Sequence, residues 1–274
     1  MPLVRVPHGG GRQQALAVTT ETLLRLALVP AAIWLATLAA RRWGHAVSGY
    51  LGGLPLIGGP ITLYLALDHG PAFAARSATM TLAAILGQGA HLLAFAHMAR
   101  RAPWPLALAA GWASFALAAL VVASLDPGPW PALAFAIAGL GAAWAFLPQP
   151  RMPAVPARIP RAELHLRLAA AVALAAAILW AADAFGPVVS GVLLSVPVTG
   201  SIMPPFTLAL YGADSVARLT RGFVVGLCGF TAFFFALALA APTWGTLAAF
   251  TAAILAALGA VFAASRVLRI ATAG

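Results

Sequence analysis

Two stretches of the chain, one beginning at Glu21 and one at Glu163, are copies of each other at a constant offset of 142 residues with no gap. Glu21, Arg25, Leu26 and Ala27 recur as Glu163, Arg167, Leu168 and Ala169. Gly44, Val47, Ser48, Gly49, Leu51, Pro55 and Gly58 recur as Gly186, Val189, Ser190, Gly191, Leu193, Pro197 and Gly200; Gly70, Arg76 and Gly87 return as Gly212, Arg218 and Gly229. Matching Ala and Leu would carry little weight in a chain that is 62% hydrophobic. A Glu-x-x-x-Arg pair, a Val-Ser-Gly and a Pro held in register carry much more. Duplicated apolar segments interrupted by Gly and Pro at matching places are the sequence signature of secondary-transporter folds.

Charged residues make up only 8% of the chain and the mean hydropathy is +0.96, which places it outside the soluble globular range. The expected fold class is an all-α membrane protein whose first partner is the lipid bilayer. A bilayer core about 30 Å thick needs about 20 apolar residues of helix. On that criterion nine spans are expected, near 22–40, 46–67, 73–98, 104–125, 129–147, 165–183, 187–210, 215–240 and 245–265. Turn residues punctuate them at Trp43-Gly44, Asp68 to Pro71, Arg100 to Pro103, Asp126-Pro127-Gly128 and Ala241-Pro242. The chain divides into a tail (1–19), a first four-helix repeat (20–128), a connector helix with a Pro/Arg-rich loop (129–162) and a second four-helix repeat (163–274).

Spans one to four match spans six to nine, so five crossings separate the copies. An odd number inverts the second copy relative to the first. All 16 basic residues are Arg. In the nine-span arrangement Arg41, Arg42, Arg100, Arg101, Arg151, Arg158, Arg161, Arg167, Arg218, Arg221, Arg266 and Arg269 collect on one face, against Arg5, Arg12, Arg25 and Arg76 on the other. The rich face is expected to be cytoplasmic, which puts the N-terminus outside and the C-terminus inside a bacterial cytoplasmic membrane. If segment 129–147 did not cross, the same twelve-to-four split would return with the opposite orientation. Its length, lack of charge, and Trp130 and Trp144 near its ends favour crossing. The net charge of +10 is accounted for by these loops, and no nucleic-acid partner is expected.

The second and seventh spans hold the candidate binding residues: Ser48, Gly49, Pro55, Gly58 and Thr62 in one, Ser190, Gly191, Pro197, Thr199, Gly200 and Ser201 in the other. Interior Pro removes a helical hydrogen bond and clashes with the preceding turn. Each span is therefore expected to break near mid-membrane, and broken backbone at that depth survives only when buried in protein or lining a cavity. The bland alternative is that the small residues merely allow close helix packing. Glu21 and Arg25, and Glu163 and Arg167, sit one helical turn apart and pair readily. With Arg76 and Arg218, which open the third and eighth helices, they are candidate gating or anion-guiding groups at opposite mouths; interfacial anchoring is the alternative. Among Asp68, His69, Gln88, His91 and His97, His91 lies deepest and is the candidate proton relay. No nucleophile motif, nucleotide-binding loop, paired carboxylate or metal-ligand pattern is found, so no catalytic residue, cofactor or metal is assigned.

The segment Gly49 to Thr62 with Gly70 and Arg76, and its copy from Val196-Pro197 through Pro204-Pro205 with Gly212 and Arg218, resembles the small bacterial inner-membrane proteins of the GlpM type and the related DUF3147-like proteins. One such short chain corresponds to one half here. The resemblance implies a fused pseudo-dimer and names no substrate. The expected function is a secondary transporter or permease for a small solute or lipid-linked metabolite, anionic ones included, with its site between broken helices two and seven. The rival classes are a non-transporting membrane scaffold for envelope polymer or lipid synthesis and an intramembrane lipid-processing enzyme.

Overall fold

The structure is a computed structural model that describes residues 42–153 and 186–267, together with residues 31, 34, 38, 165, 169 and 173. The segments 22–40 and 165–183, expected as the first and sixth spans, fall almost wholly outside the described residues, as do Glu21, Arg25, Glu163 and Arg167. The described residues are all-helical. In chain order they form α1 (His45–Gly52), α2 (Gly58–His69), α3 (Pro71–Ala83), α4 (Ile85–Met98), α5 (Trp104–Leu125), α6 (Pro129–Phe146), α7 (186–194), α8 (Val198–Trp244) and α9 (Thr246–Val267). Among the described residues, five stretches are long and apolar enough to cross a membrane: Pro71–Met98, Trp104–Leu125, Pro129–Phe146, Gly186–Trp244 and Thr246–Arg266. The chain is a multi-pass α-helical membrane protein.

Within the described residues the helices do not fall one to each expected span. Residues 46–67 are not one helix, because the Gly- and Pro-rich centre leaves α1 only 8 residues long and α2 12. Residues 187–210 break in the same way at 195–197. Past that break, the helices expected at 187–210 and 215–240 meet at Gly212, whose φ of 78° and ψ of 178° lie outside helical space. Gly212 divides α8 into a short arm, 198–211, and a long arm, 213–244. Gly70 folds the first half at the equivalent place, with φ 89° and ψ 167° between α2 and α3. A side chain at such an angle would be strained, and Gly is the residue that adopts it without cost.

The core is built by glycine contacts between the two halves of the chain. A methyl group on Gly49 would overlap the Leu219 carbonyl oxygen, and one on Gly53 would stand 2.5 Å from the Phe223 oxygen. From the other side, Gly222 and Gly226 press on Ala46 and Tyr50. Gly49-x-x-x-Gly53 of α1 thus crosses Gly222-x-x-x-Gly226 of the long arm of α8, the small-residue packing that brings membrane helices into backbone contact. Gly191 of α7 lies in the same way on the Ser77 carbonyl oxygen of α3. The pairs Gly49·Leu219 and Gly191·Ser77 are related by the sequence offset in both partners. Helix α6 docks through Gly139 onto Gly89 of α4. Large side chains of the long arm, Phe223, Leu227, Phe230, Phe234 and Leu237, fill the remaining core.

Gly49→Ala and Gly191→Ala are each expected to lower stability by about 1–3 kcal/mol, because a methyl group there meets backbone with no room to yield. Gly141, which faces open space, supplies the control: Gly141→Ala should stay within about 0.5 kcal/mol. Equilibrium unfolding in mixed micelles reads all three.

Candidate functional site

Both breaks are centred on the repeated prolines and close in the same way. The Leu56 amide donates to the Leu54 carbonyl at 2.8 Å across Pro55, and the Val198 amide donates to Val196 at 2.7 Å across Pro197. Pro197 has φ −74° and ψ 67°, the angles of an inverse γ-turn. On either side, Leu54 donates to Leu51 and Val196 to Leu193, while Gly59 donates to Pro55 and Ser201 to Pro197. Each turn reverses little of the chain's direction but leaves helix-end carbonyls without helical partners, and in the bilayer interior these need other donors.

Side chains from the opposite half supply them. Thr199 Oγ1 donates to the Gly52 carbonyl at 2.9 Å, and Gln88 Nε2 donates to Ser195 at 2.7 Å. His91 Nε2 lies 3.3 Å from the Gly200 carbonyl, and Thr81 Oγ1 lies 2.9 Å from the Gly191 oxygen. The two breaks are thereby latched to each other and to α3 and α4.

Between them lies a cavity of about 60 Å³, space for a few water molecules at the ~10–15 Å³ that each requires. The first break contributes Gly53, Leu54, Leu56 and Gly58 to its wall, the second Val196, Pro197, Thr199 and Gly200; α4 adds Gln88 and Leu92, and the long arm of α8 adds Phe223, Leu227 and Phe230. Among the described residues, Gln88 and Thr199 are the only polar side chains of the lining, and none of the lining side chains is ionisable. The N-termini of α2 and α8 begin at this cavity. A helix N-terminus contributes up to about 2 kcal/mol to an anion, whereas stripping an ion of water costs several kcal/mol. The dipoles alone do not offset that cost.

Of the residues singled out in the sequence, Gly58, Pro197, Thr199 and Gly200 reach the cavity. The others surround it. Ser48 is buried 4.0 Å from Met203 sulfur, Thr62 returns its hydroxyl to the Gly58 carbonyl at 2.7 Å, and Ser190 is buried. Gly49 and Gly191 are helix contacts, Pro55 shapes its turn, and the buried hydroxyl of Ser201 has no hydrogen-bond partner. His91 is fully buried behind the Gly200 segment, between Phe95 and Trp112. Asp68, His69 and His97 are exposed. Gln88, Leu92, Phe223, Leu227 and Phe230 were not expected as lining. For Gln88 a signal existed, since an amide in the middle of an apolar helix needs a partner; for the apolar four there was none.

Arg76 and Arg218 lie away from the cavity, at the two ends of α6. Arg76 forms an ion pair with Asp126 and donates to the Pro127 carbonyl at 3.1 Å, just before α6. Just after α6, Arg218 donates to the Met152 carbonyl and Arg221 to Leu147 at 3.3 Å, with the Arg221 guanidinium 4.3 Å from the Trp144 ring. Asp214 accepts from the Arg151 and Met152 amides at 3.1 and 3.0 Å, and Arg100 stands 3.8 Å from it. Helix α6 has 18 residues, which at 1.5 Å per residue is about 27 Å of length, close to the bilayer core.

No protein-family model, curated protein or solved structure matches the chain.

Thr199→Val and Gln88→Leu each strand a break carbonyl in an apolar interior, and each is expected to cost about 1–3 kcal/mol of stability. Ser124→Ala, at an exposed helix end, should change little, and the same unfolding measurement compares them.

Proposed function

We propose that the chain is a secondary transporter or permease of the bacterial cytoplasmic membrane, with its substrate site in the cavity between the two broken helices. One observation carries this reading: the two breaks, related by the sequence repeat, line a single cavity. Discontinuous helices whose ends meet at a central site are the construction that transporters use to coordinate a solute. A helix broken only to relieve packing would close its turn against neighbouring side chains and leave no shared space.

The proposed architecture has nine helices, with 22–40 and 165–183 completing two four-helix repeats of opposite orientation and α6 as the connector. Three features support inversion. Gly44 and Gly186, and Gly70 and Gly212, share positive φ at matching positions. The Gly49·Leu219 and Gly191·Ser77 contacts are reciprocal. The matched Arg76 and Arg218 hold opposite ends of α6, as an in-plane two-fold relation requires. The resemblance to GlpM-type proteins fits the same fused pseudo-dimer. In this arrangement the N-terminus is outside and the C-terminus inside, and Glu21/Arg25 and Glu163/Arg167 stand at opposite mouths. Arg76 and Arg218 act as tethers of the connector whose release accompanies opening, in place of the anion-guiding role expected from their charge. His91 is held as the candidate proton relay because its ring nitrogen is joined to the Gly200 carbonyl of the second break.

Cysteine accessibility tests the arrangement and flux tests the transport. In a Cys228→Ser background, Asp126→Cys should react with a membrane-impermeant maleimide from the outside only and Gln149→Cys from the cytoplasmic side only. Labelling of both from one side overturns the inverted arrangement. In proteoliposomes under a pH or sodium gradient the chain should move at least one solute of a panel of neutral and charged compounds, and Phe230→Trp, which narrows the cavity, should abolish that flux with the amount of folded protein unchanged. No flux for any solute, or flux unaffected by the variant, points to a scaffold and overturns the transporter reading.

A further inference from the structure

The cavity differs on its two flanks, and the difference bears on what enters it. The second break is covered: Val196 and Val198 pack with Phe115 and Trp112 of α5, and Ser195, Val196, Pro197 and Val198 are all buried. The first break is not covered in this way. Leu56 is 37% exposed, and Leu54, Pro55 and Ile57 are half-buried. The position in α9 that matches Phe115 is Ala257, which packs with Gly229 and leaves no ring to lie over the turn. The cavity therefore comes closest to the outer surface of the bundle at Leu56, in a segment without charged residues.

Its interior is equally selective. Among the described residues the wall carries no ionisable side chain, and its two polar groups, the Gln88 carboxamide and the Thr199 hydroxyl, are neutral. The ionisable His91 stands behind Gly200, beside Phe95 and Trp112. An ion entering such a space would lose its water without gaining a counter-charge. A hydroxyl or carbonyl on an aliphatic chain would lose much less. It would find in Gln88 a group that both donates and accepts, beside the leucine, valine and phenylalanine surface that a chain prefers.

Resting on the reading of this cavity as the transporter's site, we propose that its substrate is an uncharged amphiphile, a single polar group on an aliphatic chain, which enters sideways from the lipid past Leu56 and places its polar end between Gln88 and Thr199. The small volume admits the polar end and first carbons, with the remaining chain trailing through the gap at the first break.

Two photoreactive probes of equal chain length test this in proteoliposomes: a diazirine-bearing octanol and a diazirine-bearing octanesulfonate, the second permanently charged. Labelled peptides are mapped by mass spectrometry and normalised to labelling of the lipid-facing side of α5, which corrects for unequal partition. The octanol is expected to label residues 51–58 or 193–200 at least several-fold more than the sulfonate does. Gln88→Leu should cut that labelling several-fold while α5 labelling is unchanged, and Phe230→Trp, which fills the cavity from the long arm, should cut it as well. Equal or stronger cavity labelling by the sulfonate overturns the uncharged class but leaves the cavity as the site. Absence of cavity labelling by either probe overturns the site reading too. Full octanol labelling in both variants overturns the placement of the polar end at Gln88.

Discussion

Inside a bilayer a peptide group that loses its helical partner has no water to replace it, and the structure is organised around meeting that demand at two places. Pro55 and Pro197 each interrupt a helix at matching positions of the repeat. The γ-turns satisfy the amides locally, and Thr199, Gln88, His91 and Thr81 satisfy carbonyls from outside the broken helix. These side chains come from the opposite half in every case. The breaks consequently fix how the halves meet, and the cavity is the space left where two non-helical turns cannot pack as closely as two helices.

Glycine provides the second constraint. At Gly49, Gly53, Gly222 and Gly226 the helices approach until backbone touches backbone, which makes the α1·α8 crossing rigid and leaves it no tolerance for side chains. The polar ends of the bundle are held differently, by guanidinium groups on carbonyls and carboxylates around α6. Such contacts are partly solvated and exchangeable. The molecule thus combines a close-packed middle with adjustable ends, and rocking of one half against the other would strain the ends first.

Much of this was legible in the sequence. Hydropathy gave the all-helical membrane class, and the repeated Gly-x-x-x-x-x-Pro spacing located both breaks because Pro acts through covalent geometry, independent of context. Helix continuity was less legible: the short arm of α8 runs through Pro204 and Pro205 without ending, since neighbouring helices support backbone that a sequence pattern alone would divide. The site itself was half visible. Thr199 and Gly200 sit at the break and were found with it, but Leu92, Phe223, Leu227 and Phe230 are apolar residues in an apolar chain, and only three-dimensional packing separates a cavity wall from a lipid face. Arg76 and Arg218 were legible as a matched pair, yet their partners at Asp126, Pro127 and Met152 are backbone and loop groups with no pattern to announce them.

The exchange of contacts between halves also bears on the order in which the chain is made. Helix α1 keeps its glycine face for residues 219–226, and α7 keeps Gly191 for Ser77 of α3. During synthesis the first half enters the membrane well before residues 219–226 exist, with a bare small-residue groove turned toward lipid and an open turn at Pro55 whose Gly52 carbonyl awaits Thr199. The early half is a template held unfinished until its complement arrives, and whatever shields that groove in the interval, whether lipid, the insertion machinery or another copy, competes with the native partner for the same backbone surface.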